Sequence, residues 1–276
     1  MATSPGNGNK SHDMKKYGTL ALVAGASEGI GAAFSRYLAE SGIDILLVAR
    51  KKEPLEKFAS SLSAQYNINV TALCCDLSDE DSVNNLTIEL SDKNIDTLVY
   101  NAALSFIGPF ENDSEEHMNR IAFANMITPM RLIRILGEKM LKNGKGSIIL
   151  MSSLAGFQGS GFLASYAATK AFNRVLAESL WYEWKARGVD VIACCAGATS
   201  TKNYLETNPG KSGFMAPRVT TPEEVVEECF KNLGKKPSFI AGTGNKMASF
   251  FMQRILPRKM AVRIMGDTTS KIYRIQ

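Results

Sequence analysis

Short, nearly continuous apolar runs alternate with longer helical patterns along the whole chain, and this alternation restricts the fold more than any other feature. Thr19–Ala24, Ile45–Ala49, Val70–Cys75, Ile95–Tyr100, Ser147–Met151, Val189–Cys194 and Ser238–Ala241 read as seven strands. None shows the in-and-out alternation of a half-exposed strand, so both faces of the sheet must be covered. Between them Gly29–Ser41, Glu53–Tyr66, Glu80–Leu90, Glu115–Lys142, Phe162–Arg187 and Pro222–Asn232 read as helices. Ser78, Ser114 and Thr221 stand just before acidic first turns, as helix starts require. Strand–helix alternation demands right-handed crossovers, so the expected fold is α/β, a doubly wound parallel sheet with helices on both faces. No repeat or linker divides the chain. The expectation is one domain over residues 17–243, a disordered Ser/Gly/Asn-rich leader at 1–16, and a basic, apolar helical extension at 244–276.

Composition supports a single large core: 45% of the 276 residues are hydrophobic and 21% charged. The net charge of +5 is mild, and basic residues are mixed with acids outside the tail, which argues against a nucleic-acid partner. Cys74, Cys75, Cys194, Cys195 and Cys229 form no Cys-x-x-Cys, and only His12 and His117 accompany them. That pattern suits neither a disulfide framework nor a metal site. It fits small side chains buried in or near strands in a reducing, cytoplasmic setting. The N-terminus has no apolar core, so it does not read as a signal peptide. The uncharged stretch Gly146–Thr169 is long enough to span a bilayer but too rich in Ser, Gln and Gly to do so.

The first strand runs into Gly25-Ala26-Ser27-Glu28-Gly29-Ile30-Gly31 and then a helix. Glycines at 25, 29 and 31 allow a tight turn, close backbone approach to a pyrophosphate and close helix–sheet packing. The helix N-terminus would present unpaired N–H groups to the phosphates. Gly25, Ser27, Gly29, Ile30 and Gly31 are therefore the candidate dinucleotide contacts. At the end of the second strand, Arg50-Lys51-Lys52 occupies the place where an Asp or Glu would hold ribose hydroxyls. A guanidinium there suits a ribose 2′-phosphate, so NADP(H) is expected over NAD(H), with Arg50 as its reader. Glu28 weighs modestly against that preference, and Asp44 lies too early in its strand to take part.

Tyr166 and Lys170 stand four apart in a helical pattern, on one face, and Ser153 precedes them by thirteen residues just past a strand. With these in view the chain resembles the short-chain dehydrogenase/reductase family, over roughly residues 17–241. Gly-x-x-x-Gly-Ile-Gly at 25–31, Asp76-Leu77, Asn101-Ala102-Ala103, Asn125, Ser153, Tyr166 and Lys170 follow in the family's order. The resemblance implies a Rossmann-type seven-stranded sheet and catalytic roles for Asn125, Ser153, Tyr166 and Lys170. Tyr166 would exchange the proton, Ser153 would bond the substrate oxygen, and Lys170 would hold the nicotinamide ribose. Asp76, Leu77, Asn101 and Ala102 would flank the adenine end, and Gly197, Thr199 and Thr201 would complete the cofactor contacts. A free tyrosine titrates near ~10. A Lys170 ammonium at ~4 Å would favour the phenolate by roughly 4 kcal/mol at an effective dielectric of ~20, before desolvation costs. The helix Asn125 would hold a water linked to Lys170; Pro129, which has no N–H for the Asn125 carbonyl, would free that carbonyl at a local kink. Ala24, Ala103 and Cys195-Ala196-Gly197 depart from the family's usual residues.

The segments expected to border a substrate are apolar: Leu104, Phe106, Ile107 and Phe110, then Leu154, Phe157 and Phe162, then Tyr204, Phe214 and Met215. A lipophilic carbonyl compound, such as a 3-oxoacyl thioester, 3-ketosphinganine or a steroid, fits that lining. The tail resembles that of the 3-oxoacyl and 17β-hydroxysteroid reductases. Its mixture of Phe, Met, Lys and Arg over 246–264 reads as a pocket lid, a membrane-surface helix or a subunit contact. Relatives pair through the helices that hold Asn125 and Tyr166, so a homodimer or homotetramer is expected. The competing reading is an NADP(H)-binding regulator without turnover.

Overall fold

The computed structural model describes residues 14–206 and 219–275. Seven parallel strands form one sheet in the order β3-β2-β1-β4-β5-β6-β7. They are β1 (Leu20–Ala24), β2 (Asp44–Ala49), β3 (Val70–Cys74), β4 (Thr97–Tyr100), β5 (Gly146–Ser153), β6 (Val189–Ala196) and β7 (Ser238–Ile240). The chain reverses its direction of winding between β1 and β4, which opens a crevice at their carboxyl ends. Strands β5 and β6 run longer at that end than their apolar patterns suggest, and Ser153 is the last residue of β5 rather than a loop residue.

The helices are α1 (Gly29–Glu40), α2 (Lys52–Tyr66), α3 (Glu80–Leu90), α4 (Glu115–Ala122), α5 (Thr128–Asn143), α6 (Ala164–Lys185), α7 (Lys202–Glu206), α8 (Pro222–Asn232), α9 (Thr243–Phe250) and α10 (Arg258–Tyr273). Apolar side chains of α1, α2 and α8 cover one sheet face, where Phe230 meets Phe34 edge-on and stacks on Tyr37. Those of α3, α5 and α6 cover the other. Of the helix signals, Thr221 and Glu224 close a reciprocal capping box, Ser114 caps α4 through His117, and Asp79 rather than Ser78 caps α3.

Three expectations change. Residues 1–13 lie outside the described residues, but Met14–Lys16 of the supposed leader form a helical turn whose Met14 is buried. The single helix expected over 115–142 is α4, a π-helical turn at Phe123–Ile127, and α5. Cys75, Cys194, Cys195 and Cys229 are buried and unpaired, whereas Cys74 is exposed at the edge strand with its thiol against the Arg50 carbonyl. Among the described residues no helix is long and apolar enough to cross a membrane, and no His/Cys/Asp/Glu group is arranged to hold a metal.

Candidate active site

The glycine turn is built by close contact. A Cβ at Gly31 would lie 1.9 Å from the Gly25 carbonyl oxygen, and one at Gly25 2.7 Å from the Ala102 nitrogen. Gly25 and Gly29 both have φ in the left-handed region, at 79° and 56°. The Asn101 amide donates to the Gly25 carbonyl at 2.9 Å, and the N–H groups of Asn101 and Ala102 both donate to the Ala24 carbonyl. Asn101 thus braces the cradle as a strut from β4. A Cβ at Gly29 would meet the Thr201 methyl at 2.9 Å, so the segment after β6 folds back to the same turn. Glu28, the residue before α1, is extended and gives no side-chain cap, which leaves the first N–H groups of α1 to an outside acceptor. A cradle that a methyl group would fill, opposite an uncapped helix start, fits a dinucleotide pyrophosphate.

Past the end of β2, Arg50 is exposed, and Lys51 gives α2 no side-chain cap. The Asp76 carboxylate accepts the Ser78 N–H at 2.9 Å and its hydroxyl at 2.7 Å, and Arg120 reaches it at 3.0 Å. Burial opposes ionisation of Asp76, but these hydrogen bonds and the charges of Arg120 and Arg50 hold its carboxyl below the usual value. Arg120, which the motif reading passed over, binds both Asp76 and Ser78 from α4. Leu77 points into the core while its carbonyl accepts Thr128. Asp44, away from this site, holds Asn69. Gly197 leaves room for Asn245, and the buried Thr199 bonds the Gly197 carbonyl at 3.1 Å and Thr220 at 3.3 Å.

Ser153, Tyr166 and Lys170 converge beside the cradle. Helix α6 packs tightly on the turn after β5, where a Cβ at Gly156 would lie 2.7 Å from the Ala171 nitrogen. Ser153 closes that turn by accepting the Ala155 N–H at 3.2 Å. Tyr166 is partly buried within hydrogen-bond reach of Ser153. Lys170, buried, donates to the Met151 carbonyl at 2.9 Å and lies 5.5 Å from the centre of the Tyr166 ring. Here desolvation outweighs the expected attraction. Burial pushes the Tyr166 phenol above its ordinary value, Ser153 opposes this, and Tyr273 adds to it. Burial also lowers the Lys170 amine to about 8, against the pull of the Cys194 and Cys195 thiols. With its ammonium turned to Met151, Lys170 does not offset the desolvation of the phenol.

Asn125 is fully buried. Its Oδ1 accepts the Leu104 N–H and its Nδ2 donates to the Leu104 carbonyl, both at 2.8 Å, and also to Thr169 Oγ1 at 2.9 Å. Thr169 in turn donates to the Tyr166 carbonyl at 2.9 Å. One amide therefore ties the loop after β4 to the helix carrying Tyr166 and Lys170, a role only the fold reveals. Around Pro129 the backbone does not break. It stays helical through a wider π turn one turn earlier, where Thr128 N–H donates to the Phe123 carbonyl and the Tyr100 hydroxyl takes that of Ala124.

The apolar lining divides. Phe106 stands edge-on to His117, and Phe162, at φ 61°, offers its carbonyl to Gly108 at 2.9 Å, which joins the two loops that frame the opening. A bulky residue held at positive φ marks a conformation that its surroundings enforce. Phe110 is exposed, Phe157 packs on the core beneath Arg174, and Phe214 and Met215 lie outside the described residues. Helix α10 crosses the loop after β5. Arg258 donates to the Phe157 carbonyl at 2.8 Å, Val262 faces Gly159, Gly266 faces Gly161, and Tyr273 comes near enough to act on Tyr166.

Comparison with known proteins agrees with this fold. A family model for short chain dehydrogenases matches residues 19–212. A 7beta-hydroxysteroid dehydrogenase of Clostridium sardiniense is 32% identical over 232 residues, 84% of this chain and 88% of the relative. A very-long-chain 3-oxoacyl-CoA reductase of Anas platyrhynchos is 27% identical, over 92% of this chain and 81% of that protein. A solved 7beta-hydroxysteroid dehydrogenase structure superposes with a TM-score of 0.86 at 27% identity, covering 92% of this chain and 98% of its own. A short-chain dehydrogenase from Sphingobium yanoikuyae in complex with NADPH gives 0.73 at 28%, covering 81% and 87%.

Proposed function

The chain belongs to the short-chain dehydrogenase family, and from that membership we propose that it is an NADP(H)-dependent reductase of a lipophilic ketone. The observation that carries the reading is the meeting of Ser153, Tyr166 and Lys170 beside the Gly25–Gly31 cradle, with Arg50 and no carboxylate at the end of β2. The cradle and the α1 N-terminus would hold the pyrophosphate, Arg50 the ribose 2′-phosphate, and Lys170 the nicotinamide ribose. When bound, the nicotinamide supplies the hydride. Ser153 donates to the substrate oxygen as negative charge gathers there, and Tyr166 delivers its proton to that oxygen. A phenol held above its ordinary value carries the proton that reduction needs. Asn125 and Thr169 keep α6 in register with the loop after β4. The same residues run alcohol oxidation in reverse.

Phe106, Phe162 and the α10 side chains near the opening support a bulky, lipophilic ketone, as do the names of the relatives. Exposed Met130, Val175 and Tyr182 on α5 and α6 support pairing of two copies through those helices. Initial rates with NADPH and NADH against oxosteroids, 3-oxoacyl thioesters of increasing chain length and 3-ketosphinganine test the reading. The expected result is NADPH-dependent turnover that falls by about 10³-fold in Tyr166→Phe with cofactor binding retained. Arg50→Asp should erase the preference for NADPH. Equal use of both cofactors by the parent would remove the Arg50 argument. Cofactor binding without turnover on any ketone would make the chain a regulator.

A further inference from the structure

Helix α9 is inside out. Its buried side is polar, with Asn245 3% and Ser249 7% exposed, while Met247 is 70%, Phe250 63%, Phe251 49% and Ile255 58% exposed. These four residues and Arg254 follow the i, i+3, i+4, i+7, i+8 spacing, so they share one helix face that continues through the π turn at Phe251–Ile255. Beyond the Leu256–Pro257 corner, Met260, Val262 and Ile264 are exposed as well. A contiguous apolar stripe of this kind marks an interaction surface.

Charge identifies what covers it. From Asn245 to the end the chain carries seven Lys and Arg and a single acid, Asp267. Lys246 is paired with Glu228, and Arg258 is fixed on the Phe157 carbonyl. Arg254, Lys259 and Arg263 interrupt or adjoin the stripe and make no ion pair among the described residues. A second copy docked on this face would set like charges against each other across a two-fold axis, whereas an anionic surface would meet them all.

We propose that the face formed by Met247, Phe250, Phe251, Ile255 and Met260 docks onto an anionic phospholipid bilayer, with Arg254, Lys259 and Arg263 on the headgroup phosphates. The apolar side chains would sit at the boundary of the acyl chains while the segment lies in the plane of the surface. Because α10 runs from this face across the loop after β5 toward Tyr166, docking would bring the opening of the site close to dissolved lipid. The proposal stands on the extension alone and does not depend on the reductase reading.

The test is co-sedimentation of the full chain with sucrose-loaded vesicles of phosphatidylcholine, alone or mixed with phosphatidylserine, at rising salt. The parent should pellet with the phosphatidylserine mixture and be released by salt. Phe250→Ser/Phe251→Ser and Lys259→Glu/Arg263→Glu should each weaken partitioning by about 10-fold or more. Circular dichroism and NADPH titration should match the parent, since all four side chains are exposed. Failure of the parent to pellet overturns the proposal, as does equal pelleting by either variant. If Phe250→Ser/Phe251→Ser instead halves the mass in light scattering and leaves vesicle binding alone, the face is a subunit contact.

Discussion

The two edges of the sheet use similar polar residues to opposite ends. At the amino edge, polar groups close on one another. The Tyr17 hydroxyl donates to Asp190 at 2.6 Å, Lys185 bonds the other Asp190 oxygen at 2.5 Å and the Gly234 carbonyl at 2.7 Å, and Asp96 accepts the Thr19 N–H at 2.8 Å. At the carboxyl edge, α1 and α2 start without side-chain caps, and among the described residues Ser153 and Tyr166 have no acidic partner. The two tyrosines condense the contrast. Burial raises both phenols, but Tyr17 also faces a carboxylate that fastens its proton, whereas Tyr166 faces a serine hydroxyl. A buried phenol becomes a fastening where the fold completes its hydrogen bonds, and under the proposed function a proton donor where the fold leaves them open.

The comparison is tested most strongly by two matched substitutions. A Cβ at Gly31 would meet the Gly25 carbonyl oxygen at 1.9 Å, and a Cβ at Gly18 would meet the Asp96 carboxyl carbon at the same distance. Gly31→Ala should weaken NADPH binding by about 100-fold, equivalent to ~3 kcal/mol of overpacking in the cradle. Gly18→Ala should lower the melting temperature and leave the affinity of the folded fraction alone. Cofactor fluorescence titration and thermal melts separate the two, and equal losses of affinity would break the contrast between the edges.

Lys170 sharpens it through pH. Its amine is lowered from 10.5 to about 8 in the fold, so between those values the unfolded chain binds more protons and stability must rise with pH. The burial penalty is complete below about 8 and gone above 10.5. Relative to Lys170→Met, the cofactor-free protein should gain roughly 3 kcal/mol across that window, at 1.36 kcal/mol for each pH unit. Urea unfolding of both proteins at a series of pH values measures the difference. A flat difference would mean that the ammonium is hydrated in the fold.

The seven strands and the crossover helices were legible because both-face burial writes continuous apolar runs into the sequence. The close turn of Gly25, Gly29 and Gly31 and the meeting of Ser153, Tyr166 and Lys170 were legible as arrangements, since each belongs to a local pattern. The π turn at Phe123–Ile127 was not, because one extra residue in a turn hardly disturbs a helical period; Pro129 marked only its neighbourhood. Arg120 on Asp76 and Thr169 on Asn125 each join residues 44 apart, and no spacing rule reaches so far. The net direction of the Tyr166 shift was not legible for the same reason: the Met151 carbonyl that holds Lys170 lies 19 residues away, in another element. The tail was legible in composition alone, since the orientation of α9 follows from which side Asn245 and Ser249 find the core.

The smallest expected effect lies in paired threonines. Thr169 accepts from Asn125 and donates to the Tyr166 carbonyl near the carboxyl edge, and Thr97 hydrogen-bonds Ser147 at 2.9 Å near the amino edge. Valine keeps the shape of threonine and removes the hydroxyl, so each change costs about 1 kcal/mol of stability in a buried setting. Thr97→Val should show that loss and no kinetic change. In Thr169→Val, Asn125 keeps its two bonds to Leu104 but lets go of α6, so Tyr166 and Lys170 are held less firmly against the loop. Its kcat should drop by roughly 3- to 10-fold with KM nearly constant, because a misplaced proton donor weakens the transition state more than the bound ketone. Equal kinetics in the two variants would show that the Asn125–Thr169 bond is a fastening like those at the amino edge.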